Sequence, residues 1–286
     1  GKGVRGAPRD ALIADITAPD VRGAAYGLRQ ALDSVGAFLG PLLAVVLLAV
    51  FAGNMRTVMW FAVIPAGLCV ALLAVFVREP ERAAVGTARP TLLAGARRLP
   101  SRYWVVVVFG AVFSLARFSE AFLLVRATDV GLTVVYVPLV LIVMNVCYSG
   151  AAYPAGLAAD RLSHRTLLHL GLALLIAADV ALAWASSPEM VFAGAALWGL
   201  HLAATQGLLS KLVADAAPAD LLGTGFGIFH LVSGGALLLA SLIAGVLWSA
   251  YGASATFVAG AALAAIASVG LVSLRFRRPG TSSNGG

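Results

Sequence analysis

Long apolar stretches, separated by short polar turns, dominate the pattern of hydrophobic and polar positions along the chain. A helix needs about 20 apolar residues to cross a bilayer. Stretches of this kind lie at about residues 23–52, 57–77, 103–125, 131–159, 167–185, 190–210 and 221–274. The last is long enough for two helices, and the small and polar turn 249–254 divides it. With residues 1–14 as the end of a further span, the pattern predicts an all-α membrane protein of eight complete transmembrane helices and part of a ninth.

Composition supports a membrane location. Hydrophobic residues make up 60% of the 286 residues, charged residues make up 12%, and the mean hydropathy is +0.94. Soluble domains are only about 45–50% apolar and about 25% charged. The net charge is +7, but the arginines lie between apolar runs, so we expect no nucleic-acid partner. Cys69 and Cys147 both lie within apolar runs and predict neither a disulfide framework nor a metal site.

The distribution of arginine predicts the orientation and the division of the chain. Loops rich in Arg and Lys face the cytoplasm, and the basic segments are 78–102, 160–165 and 275–279. The turns of opposite parity carry only Arg56 and Arg126. We therefore expect a cytoplasmic linker at 78–102 between two halves, 1–77 and 103–274, and a cytoplasmic C-terminal tail at 275–286.

An internal similarity supports this division. Segments 12–27 and 212–227 align without a gap at an offset of 200, with identical Leu, Ala, Asp and Gly positions and with Tyr26 opposite Phe226. Asp20 and Asp220 each precede a helix start, where a carboxylate caps free N–H groups, so we predict that both are helix caps. The alternative is a chance similarity between two turns of the same kind.

The turn "GLAADRLSHRT" (156–166) carries a recognisable motif. It resembles the loop motif G-x-L-A-D-R-x-G-R-R of the major facilitator superfamily. The motif residues that the turn shares with the family are Gly156, Asp160, Arg161 and Arg165. Ala158, Ser163 and His164 depart from the commonest choices. We expect Asp160 to meet a neighbouring helix N-terminus. The alternative is a generic basic turn.

A second motif lies in the first complete span. Antiporters of this family often carry G-x8-G-x3-G-P-x2-G-G, and Gly27, Gly36, Gly40 and Pro41 match its spacing, whereas Ala44 and Val45 replace the last two glycines. Small residues permit close helix approach, and proline kinks a helix. The resemblance favours export, although packed membrane helices of other kinds also carry such residues.

The resemblance covers the whole chain and implies a twelve-helix fold made of two parallel six-helix repeats. The eight complete spans then correspond to helices five to twelve, and the first three helices and most of the fourth are missing. The domains implied are 1–77 with the end of helix four and helices five and six, and 103–274 with helices seven to twelve. Such a fragment is expected to be inactive by itself.

Ionisable side chains within a span are costly and usually face a cavity or a partner. Arg29 and Asp33 are spaced i, i+4 on one helix face, and Arg117 and Glu120 are spaced i, i+3. We expect Asp33 and Glu120 to carry protons at one central cavity, with the arginines as charge partners. The rival interpretation is a pair of fixed structural ion pairs.

Further polar residues are weaker candidates. Gln206 and His230 are predicted cavity residues, with hydrogen-bonded packing as the alternative. His201 has the same two interpretations, and the isolated Asp179 ranks below the charge pairs. Arg5, Arg9 and Asp10 are expected near a cytoplasmic gate.

The expected function is secondary active transport. The resemblance implies alternating access driven by an ion gradient, and we favour proton-coupled efflux of a small or drug-like molecule. The alternatives are proton-coupled uptake of a metabolite and a non-transporting membrane protein. No P-loop, H-E-x-x-H or catalytic triad pattern occurs in the sequence, so we expect neither an enzyme nor a cofactor. The expected partners are the lipid bilayer, the substrate and protons, for a monomer in a bacterial-type inner membrane.

Overall fold

The computed structural model describes residues 2–51, 54–76 and 92–273, which are almost entirely helical and include no strand. The helices are α1 (Lys2–Ile16), α2 (Arg22–Val50), α3 (Met55–Phe76), α4 (Leu92–Arg98), α5 (Ser101–Leu115), α6 (Ala121–Asp129), α7 (Pro138–Arg161), α8 (His164–Ala183), α9 (Pro188–Ala216) and α10 (Leu222–Ser273). The all-α fold agrees with the prediction. Most of the predicted linker and the predicted tail lie outside the described residues.

Six helical segments in the described ranges are long and apolar enough to cross a membrane. They correspond to α2, α3, α7, α8, α9 and α10. The segments of α2, α7 and α10 also include the short 3-10 turn that precedes each helix. The outer faces of α2 and α3 expose large apolar side chains such as Leu43, Trp60 and Ile64. Such faces are costly in water, and their apolar surface suits a bilayer. The predicted number of crossings stays a prediction.

Two predicted spans differ from the helices observed. The span predicted at 103–125 is divided into α5 and α6, and residues 116–120 between them are not helical. Conversely, α10 runs through both of the last two predicted spans. Its helix is interrupted at Gly252, with φ 83° and ψ 178°, a conformation that favours glycine. Gly252 lies within the turn predicted at 249–254.

The core of the described residues is formed around α9. Residues on most of its length are buried, and the fully buried Trp198 is the largest side chain there. Helices α5, α7, α8 and α10 pack around it, and α2 packs along α7.

Glycines bring the start of α2 close to α7. A Cβ atom on Gly27 would lie 2.5 Å from the carbonyl oxygen of Ala152, and one on Gly156 would collide with the Gly23 carbonyl. By contrast, no described atom lies within 4 Å of a Cβ built on Gly36 or Gly40. Close helix approach among the described residues is therefore seen at Gly27, and for Gly36 and Gly40 it stays a prediction. Pro41 lies within α2, and its side chain lies outside the part of the chain that is described.

The capping roles predicted for Asp20 and Asp220 are corrected by the structure. Each residue lies within a short 3-10 helix, Pro19–Val21 or Ala219–Leu221. The N-cap of α2 is Val21, which makes no side-chain capping bond. Asp20 precedes the N-cap position by one residue and is therefore not the cap. Asp220 pairs instead with Arg98, with 2.6 Å between Oδ2 and Nη2.

Candidate functional site

A cavity of about 380 Å³ lies between α1, α2, α5, α9 and α10, and we call it the central cavity. Its walls combine polar side chains with the apolar residues Phe113, Leu209, Phe229 and Leu237. The polar and charged lining residues are Arg9, Asp10, Arg29, Gln30, Asp33, Ser114, Arg117, Gln206, Ser210, His230 and Ser233. Five of the six residues predicted for coupling or substrate binding therefore line one cavity.

Asp10 is the buried centre of an ionic network in this cavity. Its side chain is only 2% exposed. Oδ1 lies 3.2 Å from Nη1 of Arg29 and 3.4 Å from Nε of Arg9, and Oδ2 lies 3.0 Å from Nε2 of His230. The network thus joins α1, α2 and α10. The sequence predicts only a gate position for Asp10, because no sequence pattern shows that α1 contacts α10.

Asp33 occupies the outer part of the same network. Its Oδ2 lies 3.1 Å from Nη1 of Arg9 and 3.4 Å from Nη1 of Arg29. The i, i+4 pair expected from the spacing is therefore present, but Asp33 shares both arginines with Asp10. Its side chain is 50% exposed in the protein, which places Asp33 at the open side of the cavity.

Arg117 and Glu120 lie at the break between α5 and α6. Arg117 lines both the central cavity and a neighbouring pocket, and Glu120 lines only the neighbouring pocket, with Phe118, Ser119 and Ser241. The break itself is held by a hydrogen bond from the Ser119 amide to Ser241 Oγ, 3.1 Å long. Asp33 lines the central cavity and Glu120 lines the neighbouring pocket, and the two spaces share Arg117, Gly234 and Leu237 as lining residues. That Asp33 and Glu120 act at one cavity stays a prediction.

Of the remaining candidates within the predicted spans, one lines the central cavity and two are buried in the protein core. Gln206 lines the central cavity. His201 does not, since it is fully buried, stacks on Phe113 at 5.4 Å between ring centroids, and has Nδ1 2.7 Å from the Gly171 carbonyl oxygen. Asp179 is also fully buried, and neither of its carboxyl oxygens has a hydrogen-bond partner among the described residues.

A second group of charges, which we call the loop-end cluster, consists of Arg22, Asp160, Lys211 and Asp215. Asp160 accepts hydrogen bonds from the amides of Gly23 (2.9 Å) and Ala24 (2.8 Å). These amides belong to the first turn of α2, whose free N–H groups and positive dipole end favour a carboxylate. Asp160, at the end of α7, thus supplies the cap that the sequence assigns to Asp20, and it meets a helix N-terminus as expected.

Lysine and arginine complete the loop-end cluster. Lys211 Nζ lies 2.9 Å from Asp160 Oδ1 and donates to the Pro19 carbonyl at 2.9 Å. Arg22 pairs with Asp215 at 3.0 Å and donates to the Ala14 carbonyl at 3.0 Å. The side chains of Lys211 and Asp160 are only 7% and 8% exposed. The cluster therefore ties the region between α1 and α2 to the ends of α7 and α9.

The other loop-motif residues lie beside this cluster. Arg161 is exposed at the end of α7, and Arg165 is half-buried in the first turn of α8. Lys211 was not among the predicted sites. Its i, i+4 spacing from Asp215 is visible in the sequence, but its pairing with Asp160 depends on how α7 and α9 pack.

A comparison with family models identifies one family. A family model described as Major Facilitator Superfamily matches residues 1–145 and 106–285. An uncharacterized MFS-type transporter of Methanocaldococcus jannaschii is 28% identical over 272 residues, covering 93% of this chain and 67% of that protein. An uncharacterized protein of Mycobacterium tuberculosis is 26% identical over 235 residues, covering 80% and 57%. The chain thus spans 57% to 67% of the length of these relatives.

Solved structures show the same fold at low sequence identity. The human organic anion transporter MFSD10 superposes with a TM-score of 0.72 at 19% identity, covering 93% of this chain and 67% of that chain. The E. coli fucose:proton symporter FucP superposes with a TM-score of 0.67 at 14% identity, covering 93% and 72%.

Proposed function

The chain belongs to the major facilitator superfamily and is a multi-pass membrane protein of a transporter family, and from this premise we propose that it exports a small molecule in exchange for protons. Movement between inward-open and outward-open states would expose the central cavity to one side of the membrane at a time. The observation that carries the proposal is the network of Asp10, Arg29 and His230, because it joins helices from both predicted halves at the cavity.

Protonation can open this network. A buried carboxylate is tolerable in a membrane protein only when cations compensate its charge. A proton that neutralises Asp10 removes its attraction to Arg29, and loss of a proton from His230 weakens the link between α1 and α10. Proton occupancy would thereby favour one arrangement of α1 and α10 over another, which is the thermodynamic requirement for coupling.

Asp33 is the proposed entry point for protons. It is half-exposed and shares Arg9 and Arg29 with Asp10, so a proton arriving at Asp33 frees both arginines to bind Asp10 more closely. Glu120, in the neighbouring pocket, and Gln206, in the cavity wall, are proposed as secondary coupling and substrate residues.

Export is the proposed direction because Gly27, Gly36, Gly40 and Pro41 follow the antiporter spacing. Proton-coupled uptake is the second candidate. It is favoured by Ala44 and Val45, which replace the final glycine pair, and by the symporter FucP among the proteins of the same fold. We also propose a monomer in a bacterial inner membrane, with the basic linker and tail on the cytoplasmic side.

The test is transport by the complete reading frame that contains this chain, reconstituted in liposomes. A pH gradient is imposed, and the accumulation of a panel of small molecules is measured by mass spectrometry with and without a protonophore. We expect accumulation that the protonophore abolishes and that Asp33→Asn uncouples without loss of folded protein. Accumulation that is indifferent to the protonophore would refute proton coupling, and opposite gradient directions separate export from uptake.

A further inference from the structure

Asp179 is a buried carboxyl group that the proposed transport mechanism does not use. It lies in the last two turns of α8 and is fully buried. Neither of its oxygens has a hydrogen-bond partner among the described residues. An ionised carboxylate in such surroundings is very costly, whereas the protonated form is neutral. The carboxyl group of Asp179 therefore carries a proton in this structure.

The elements around Asp179 offer it no ion pair. Helix α8 packs mainly against α9 and α10, and residues 253–273 of α10 contain no titratable side chain. The titratable groups in residues 188–201 of α9, in the break between α5 and α6, and in α6 are Glu189, His201, Arg117, Glu120, Arg126 and Asp129. Within the described part of the chain, none of them makes an ion pair or a hydrogen bond with Asp179. Contact with water would therefore be needed to make the ionised form of Asp179 tolerable.

The ring of Phe118 lies between Asp179 and the neighbouring pocket. A Cβ atom built on Gly260 would lie 2.8 Å from Asp179 Oδ2 and 2.9 Å from Phe118 Cε1, so the carboxyl group and the ring meet at one point of α10. Phe118 also lines the neighbouring pocket, a space of about 700 Å³, although the residue is only 4% exposed. One aromatic ring thus forms the wall that closes the pocket toward Asp179.

A second polar group beside the same ring lacks a partner. Trp198 is fully buried, and its ring centroid lies 5.4 Å from that of Phe118. Its Nε1 has no hydrogen-bond partner among the described residues. Buried donors and acceptors usually have a partner in the protein or in ordered water. Water that entered from the neighbouring pocket past Phe118 would supply such a partner to both Trp198 and Asp179.

Phe118 lies in a segment that is suited to move. Residues 116–120 between α5 and α6 are not helical, and a hydrogen bond from the Ser119 amide to Ser241 Oγ joins this break to α10. Hinges are commonly a few residues at the ends of helices that absorb changes of backbone angle. A change of backbone angle in the break would displace the Phe118 ring and open the wall.

We propose that Asp179 is a second proton-binding site, which Phe118 closes in this structure and which opens to the neighbouring pocket when the break between α5 and α6 moves. On opening, the O–H bond of the carboxyl group breaks, the proton passes to water in the pocket, and the hydrated carboxylate remains. This inference rests on the proposed function, because it adds a second site to the proton pathway of the transporter.

The first test measures access to Asp179 without transport. Dicyclohexylcarbodiimide, an apolar reagent, adds to protonated carboxyl groups, and its adduct at residue 179 of the complete protein in detergent is quantified by peptide mass spectrometry. Phe118→Ala should raise the labelling rate tenfold or more, and Phe118→Leu should raise it less. Phe113→Ala is the matched control, since Phe113 is equally buried, at 3% exposed, but lines the central cavity. Equal labelling rates in the Phe118 and Phe113 variants would overturn the proposal.

The protonation state has its own measurement. The infrared spectrum of the protein should contain the C=O stretching band of a protonated carboxyl group that Asp179→Asn removes. A spectrum in which Asp179→Asn removes no such band would show that Asp179 is ionised and would overturn the proposal.

The last test separates this site from the proposed coupling. In liposomes with the membrane potential clamped, one proton fewer per substrate lowers steady-state accumulation about tenfold for a gradient of one pH unit. For a compound of the panel that accumulates in a protonophore-sensitive manner, Asp179→Asn should cause this loss. Unchanged accumulation by folded Asp179→Asn would overturn the inference and leave the proposed function standing. Labelling that depends on Phe118, without protonophore-sensitive accumulation of any panel compound, would refute the proposed coupling and leave Asp179 as a gated protonation site.

Discussion

His230 Nε2 lies 3.0 Å from Asp10 Oδ2, so residues 220 positions apart in the sequence are joined by one hydrogen bond at the central cavity. The Asp10 side chain is buried, and Arg29 also binds its carboxylate. Asp33, in the same network, is far more exposed. Asp10 and Asp33 both bind Arg9 and Arg29 but differ in burial. Substituting each aspartate in turn therefore tests how much the burial of a carboxylate in this network contributes to stability.

Asp10→Asn should destabilise the protein much more than Asp33→Asn. Loss of the Asp10 charge leaves the largely buried Arg29 with only the half-exposed Asp33 as its counter-charge, and breaking a buried pair costs about 3–5 kcal/mol. Exposed pairs such as that of Asp33 contribute only about 0–1 kcal/mol. The free energy of unfolding in detergent, measured by chemical denaturation, distinguishes the two. Equal losses would mean that Asp10 is solvated in the native state.

The pair Asp160–Lys211 should behave as a coupled buried pair. Each of Asp160→Asn and Lys211→Met should lower the free energy of unfolding by about 3–5 kcal/mol, because the partner left behind is buried. The double variant should lose less than the sum of the two by about 1 kcal/mol or more. The measurement is a double-mutant cycle on the free energy of unfolding.

The control for this cycle is the exposed pair Arg98–Asp220, in which both side chains are 57% exposed. Arg98→Met and Asp220→Asn should each change the free energy of unfolding by less than about 1 kcal/mol and should be additive. Additive losses at Asp160 and Lys211 as well would show that the loop-end cluster does not act as a unit.

Gly156→Ala should destabilise the packing of α2 on α7. The added Cβ would collide with the Gly23 carbonyl, and overpacking of this kind costs about 1–3 kcal/mol. Gly150→Ala, in the same helix, has no atom within 4 Å of the new Cβ, and it should be neutral or stabilising because alanine favours helix more than glycine does. Thermal unfolding of both variants checks this, and an equal response of the two would contradict the close approach.

Local features of the fold follow from the sequence, and contacts between distant helices do not. The interruption at Gly252 lies in the turn predicted from small and polar residues, and the Arg29–Asp33 contact follows from helical spacing. The break of the helix at residues 116–120 was missed, because the hydrophobic pattern is continuous there and a hydrogen bond to the distant Ser241 helps to hold the break.

The similar segments show both the strength and the limit of sequence comparison. Tyr26 and Phe226, aligned at the offset of 200, pack together with ring centroids 6.1 Å apart, and both segments consist of a helix end, a 3-10 turn and a helix start. The charges are not duplicated, since the positions 200 residues after Asp10 and Asp33 are Ser210 and Ser233. Those serines also line the central cavity. The ionic network therefore has neutral residues at the equivalent positions, and these line the same cavity.

Asp179→Leu should stabilise the protein, whereas Asp160→Leu should destabilise it. Leucine has the heavy-atom skeleton of aspartate, a Cγ that carries two atoms, so the shape changes little while the polar oxygens are removed. Asp179 has no hydrogen-bond partner for either oxygen, and an unsatisfied buried polar group costs about 1–3 kcal/mol.

The Asp160 side chain is also buried, but it accepts two amide hydrogen bonds and pairs with Lys211. The same substitution at Asp160 therefore removes two hydrogen bonds and an ion pair. The free energies of unfolding of both variants should therefore change in opposite directions. A loss of stability in Asp179→Leu would show that its carboxyl group has a polar partner such as a buried water. A gain of stability together with a loss of proton-driven transport would identify Asp179 as a group that is retained for function at the expense of stability.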